Sequence, residues 1–220
     1  MKPLPVRGLL VSAALSVLAG AATPNITYTR SFPGSVPDFI YVNVDRTGAL
    51  VYKESLKDDH PLQTHLQASD TAPLFELAEK LEYFKSPLES GLKVANTGKK
   101  TFRYENEAGI CTEATFNYST NDFAKTLLAR FEQIAASEQA YLELDRTIHY
   151  DKLGVNDALA EIESLWLRKE LVAPEQFLPL LTRITTHESF MHLVRDRAAR
   201  LKDEFATPVP DHPADSSPNK

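Results

Sequence analysis

Polar and apolar residues alternate with period two where Ile40, Val42 and Val44 fall on one side and Phe39, Tyr41 and Asn43 on the other, the pattern of a half-buried strand. Asp45-Arg46-Thr47-Gly48 supplies turn chemistry, and the apolar run 49–52 completes a predicted hairpin. The stretch before it reads as a short polar lead, and 57–64, with its charges and Pro61, as a loop. Leu74, Leu77, Ala78 and Leu81 then recur at helical spacing beside Phe75 and Phe84. This predicts a helix capped by Ser69 or Asp70, with Pro73 in its first turns and Pro87 and Gly91 ending the segment. Alternation returns after Leu92: Val94 leads to a turn at Asn96-Thr97-Gly98, and Phe102 and Tyr104 share a face of the returning strand. After a turn at 106–109, Ala114, Phe116 and Tyr118 share a face of the next strand while Glu113, Thr115 and Asn117 face away.

Beyond Asn121 the period becomes helical. Phe123, Leu127, Phe131, Ile134, Tyr141 and Ile148 mark one long helix capped by Thr120 or Asn121, ended by the break at 151–154. Val155, Leu159, Ile162 and Trp166 mark a second, a helix starting at Pro174 carries Phe177, Leu181 and Ile184, and Phe190, Val194, Ala198, Leu201 and Phe205 stripe the last. The expected fold is α+β: a small antiparallel sheet of four or five strands with a packed helix, followed by a C-terminal helical region. The predicted divisions are a lead at 22–37, the sheet region at 38–119, the helical region at 120–205 and a proline-rich, disordered tail at 206–220. The long helix is expected to cover the sheet with its first turns and carry the helical region with its last.

The first 21 residues change the picture of where the protein works. Lys2 and Arg7 precede an uncharged, mostly apolar run, and Ala19-Gly20-Ala21 offers a small-x-small cleavage pattern, so export to a periplasm or the extracellular space is expected; an uncleaved anchor is the alternative. The 220-residue chain carries 30 acidic and 24 basic residues without a long basic run, which disfavours nucleic acid as a partner. Membrane association is not expected after signal cleavage. The single Cys111 cannot form an internal disulfide or a multi-cysteine metal site.

Several groupings resemble chemistry without matching its spacing. His187 and His192 are five apart, which turns them about 140° from one another on a helix and defeats a shared zinc site. Asp58, Asp59, His60 and His65 suit a solvated loop better than a metal. Asn43, Asp45, Thr47, Gly48 and Glu54 follow calcium-loop spacing, but their flanks alternate as strands where such a loop needs helices. Gly98-Lys99-Lys100-Thr101 lacks the earlier glycine of a phosphate loop. Cys111 would need an imidazole such as His149, and His149-Tyr150-Asp151 also suits a helix end.

No cofactor is expected. The leading functional expectation is a non-catalytic exported binding protein with a protein partner. Its contact is placed either on the basic stretch of Lys93, Lys99, Lys100 and Arg103 or on the last helix through Arg195, Arg197 and Arg200. One alternative is a hydrolase or metal-dependent enzyme assembled from distant residues, with His60, His65, His149, His187 and His192 as candidates. Another is a carrier of small apolar ligands, lined by Phe102, Tyr104, Phe116 and Tyr118.

Overall fold

The computed structural model describes residues 23–206. The segment at 1–21, expected to direct export, and residues 207–220 of the expected tail lie outside the described residues. In chain order the elements are β1 (Asn25–Ser31), β2 (Phe39–Asp45), β3 (Ala49–Lys53), β4 (Leu62–His65), α1 (Ala68–Lys80), β5 (Lys99–Glu105), β6 (Cys111–Phe116), α2 (Asp122–Tyr150), α3 (Val155–Leu167), α4 (Leu178–Thr186) and α5 (His192–Ala206). The strands form one antiparallel sheet in the order β4-β3-β2-β1-β5-β6. The mixed α and β class is as expected, but the sheet has six strands in place of four or five.

The largest correction is β1. The stretch expected to be a polar lead holds a central strand, flanked by β2 and β5 along its whole length. Its inward positions carry Ile26, Tyr28 and Arg30, so apolar alternation covers two residues only, and the strand depends on neighbours that its own sequence does not reveal. A second correction is β4, within the expected loop. This short edge strand starts directly after Pro61, where a missing donor is tolerated. The opposite error falls at Leu92 and Val94, which lie in irregular chain leading to β5. Likewise β6 stops at Phe116, leaving Tyr118 exposed.

Tight geometry joins the β2–β3 turn to α1. Asp45 Oδ1 accepts hydrogen bonds from the Thr47 and Ala49 amides at 2.8 and 3.1 Å, and Gly48 has φ of +97°. A Cβ at Gly48 would stand 2.3 Å from the Leu66 carbonyl oxygen, and the Leu66 amide donates to the Gly48 carbonyl at 2.8 Å. This clamp fixes the chain just ahead of α1, whose N-cap is Gln67 without a side-chain bond, not Ser69 or Asp70.

Among the described residues, helices cover one face of the sheet and leave the other bare. Ile26, Tyr28, Val42, Tyr52, Phe102 and Phe116 pack in one core with Leu74 and Ala78 of α1 and Leu127, Phe131 and Ile134 of α2. Further along the same helix, Ala140, Leu144 and Ile148 belong to a second core with Leu159 and Ile162 of α3, Leu181 of α4 and Val194 and Leu201 of α5. Thus α2 serves both cores. Its start is fixed by Asn121, whose Oδ1 accepts from the Phe123 and Ala124 amides at 2.9 and 3.2 Å. Asn121→Ala is expected to cost about 1 kcal/mol, read as a lower urea midpoint with unchanged slope.

Candidate functional site: the bare face of the sheet

The register of six strands orders the side chains on the uncovered face. One row runs Lys53, Tyr41, Thr29, Thr101, Thr115; the next runs Val51, Asn43, Thr27, Arg103, Glu113; a third contains Asp45, Asn25, Glu105 and Cys111. The face is built almost wholly from amides, hydroxyls and charges. Thr27, Thr29, Tyr41, Asn43, Arg103 and Glu113 are among the residues that line a cavity of about 500 Å³ there, and the exposed Leu56 joins them from the β3–β4 connection.

Bonds within the face use part of its capacity. Asn43 Nδ2 donates to Asn25 Oδ1 at 2.9 Å and to Thr27 Oγ1 at 2.8 Å, and the Thr101 and Thr115 hydroxyls meet at 2.9 Å. A carboxamide has two donor hydrogens and two acceptor lone pairs, so these bonds do not exhaust Asn25 or Asn43. Arg103 Nη2 donates to Cys111 Sγ at 3.0 Å and lies 4.0 Å from Glu105 Oε2, with Glu113 opposite it in register. The Lys53 ammonium stands 5.7 Å from the centre of the Tyr41 ring. Such a surface can hold a polar ligand or a chain segment by hydrogen bonds from both side-chain amides and a guanidinium.

The basic stretch divides by strand parity. Lys99 and Arg103 are exposed and lie on the bare side, and Lys93 is exposed in the preceding loop. Lys100 points the other way, is 5% exposed, and is therefore no part of the same surface. Its Nζ donates to Thr97 Oγ1 at 2.8 Å and to the carbonyls of Asn117, Thr97 and Gly98 at 3.0, 3.2 and 3.3 Å. Burial lowers its pKa. On α5, Arg197 donates to the Asn156 carbonyl and side chain at 3.0 and 2.8 Å and pairs with Glu163, and Arg200 lies 3.4 Å from the same carboxylate. Arg195 is half-buried. Arg197 and Arg200 therefore tie α5 to α3.

The other groupings stay apart. His149 bonds the Asp145 carbonyl and Arg183, His192 pairs with Asp196, His65 lies on β4, and His60 and His187 lie in separate connections. Among the described residues, no three histidine, cysteine or acidic side chains are gathered as metal ligands. Cys111 has Arg103 and Glu105 beside it, whereas His149 sits near the far end of α2. The aromatic carrier face is filled: Phe102 and Phe116 are buried, and Tyr104 packs against Tyr83 at 4.4 Å between ring centres. A small cavity of about 220 Å³ persists beside Phe116 and Tyr118, lined also by Lys100 and Glu132. No helix among the described residues is long and apolar enough to cross a membrane.

On this face the sequence reading singled out only Lys99 and Arg103 as contacts; it gave Tyr41 and Glu113 strand positions without a role, and it missed the strand that carries Asn25, Thr27 and Thr29. Their signal was the alternation of these three with Ile26 and Tyr28, short but present. No protein-family model matches the chain, and no curated protein matches it in sequence.

Proposed function

We propose that the chain is an exported binding protein that contacts a protein partner through the bare face of its sheet. The observation that carries this reading is the composition of that face: a wide polar surface that none of the described helices covers, with hydrogen-bonding capacity beyond what its own bonds use. The leader pattern supports export. Arg103 and Lys99 of the basic stretch lie on this side, so the contact surface joins them to the threonine and asparagine rows.

The test is cross-linking and affinity capture in the exported compartment, comparing the native protein with Thr29→Trp and Thr101→Trp. These neighbours face one another across β1 and β5 at the cavity. A bulky ring at either place should reduce recovery of the native protein's partner about tenfold or more, while the thermal midpoint barely moves. Arg195→Ala together with Arg200→Ala should leave recovery intact. Full recovery with both tryptophan variants overturns the reading; loss confined to the arginine variant moves the contact to α5.

A further inference from the structure

The segment joining α3 to α4, residues 168–177, crosses α2 where the two cores meet. Its Val172 amide donates to Ser137 Oγ at 2.9 Å, Ala173 is buried against the sheet core, and Phe177 is buried in the helical core. Next to Ser137 stands Glu138, a carboxyl group with 0% exposure. Gln176 Nε2 donates to Glu138 Oε1 at 3.1 Å. The second oxygen of each group, Glu138 Oε2 and Gln176 Oε1, is buried and has no hydrogen-bond partner. Two buried acceptors, on groups already joined by one hydrogen bond, would both be satisfied by a single added hydrogen shared between them.

We propose that Glu138 carries a proton at rest and donates it through Oε2 to Gln176 Oε1, closing a two-bond carboxyl–carboxamide ring that fastens this strap to α2 and opens when the proton is lost. The proton satisfies both orphaned oxygens at once, which a carboxylate cannot do. The titratable neighbours do not favour the charged form. Tyr52 of β3 donates its hydroxyl to Glu54 at 3.0 Å, and Tyr141 follows on α2. Arg130 acts on Asp70 of α1, with Glu175 of the strap near the same aspartate; Arg183 of α4 bonds His149; and Glu163 of α3 is taken by Arg197 and Arg200 of α5. Burial accordingly raises the Glu138 pKa from its ordinary value to about 7.

The sign of the effect follows from linkage. The unfolded chain loses this proton near the ordinary glutamate value, and the folded protein keeps it until about pH 7. The stabilisation is complete below the first value and is lost as pH rises through the second. Glu138→Gln supplies the missing donor without a titrating proton, so it should mimic the closed ring at any pH. In urea unfolding of the purified protein, the native chain and Glu138→Gln should be similarly stable at about pH 5. At about pH 8 the variant's unfolding constant should be on the order of a hundredfold smaller. Other titrating groups are common to both proteins and cancel in the difference. An equal difference at both pH values overturns the proposal. If the variant fails to fold, carbon NMR of the native protein decides: a glutamate carboxyl titrating near neutrality, and displaced by Gln176→Ala, supports the ring, and its absence overturns it.

Discussion

Phe102→Ala is expected to remove about 3–5 kcal/mol of stability, enough to threaten the folded state of a domain of this size. Phe102 is fully buried at the middle of β5, and its ring centre lies 5.2 Å from Phe116, 5.4 Å from Phe84, 5.8 Å from Tyr28 and 5.9 Å from Phe131. These partners come from β6, the turn at Glu82–Phe84, β1 and α2, so truncation opens a void that no single side chain can collapse into. Leucine in its place retains most of the buried area and should recover part of the loss. Urea unfolding of the two variants measures both quantities. A cost below about 1 kcal/mol for alanine would mean that the aromatic cluster repacks freely, contrary to its close packing.

Lys100→Met should cost about 2–3 kcal/mol, while Lys99→Met next to it should stay within about 0.5 kcal/mol. Methionine keeps the length of the stem and deletes the donor. The carbonyls of Thr97, Gly98 and Asn117 then lose the ammonium that gathers them. Around this point the chain is held by side chains where a ladder was expected: Asn117 Nδ2 donates to the Ala95 carbonyl at 3.0 Å, its Oδ1 accepts from the Thr97 amide at 2.9 Å, and its own amide donates to Glu89 at 2.6 Å. Loss of Lys100 should therefore raise proteolytic cleavage within 89–98 before the whole protein unfolds. Equal stability of the two methionine variants would show that the ammonium is not holding the loop.

Strand parity makes the contrast between these lysines legible in the sequence. Phe102 faces inward, so Lys100 does too, and Lys99, Thr101 and Arg103 face out. Grouping the cations by charge alone hides this. The helical region was legible because Leu159, Ile162, Leu181, Val194 and Leu201 recur at helical spacing and are all buried as that spacing requires. The β2–β3 hairpin was legible for a related reason: its alternation and its Asp-x-x-Gly turn agree. Where the reading failed, stabilisation comes from distant partners. Val94 has the residue type of a strand yet is exposed in a loop fixed by Asn117 and Lys100. The bare face was half legible, since Asn43, Arg103 and Glu113 were placed by alternation, but the rows become continuous only with β1 between them.

The central place of β1 sets the order in which the sheet can be completed. One of its two ladders joins it to β2, the next strand in the chain, and the other waits for β5, which follows the hairpin, the edge strand and all of α1. A chain emerging N-terminus first thus presents β1 with one unpaired edge through much of its synthesis, and closure of that edge carries a long-loop entropy cost. Losing these seven residues would not shorten the protein by a peripheral strand; it would part β4-β3-β2 from β5-β6 and leave two small sheets with raw edges facing each other.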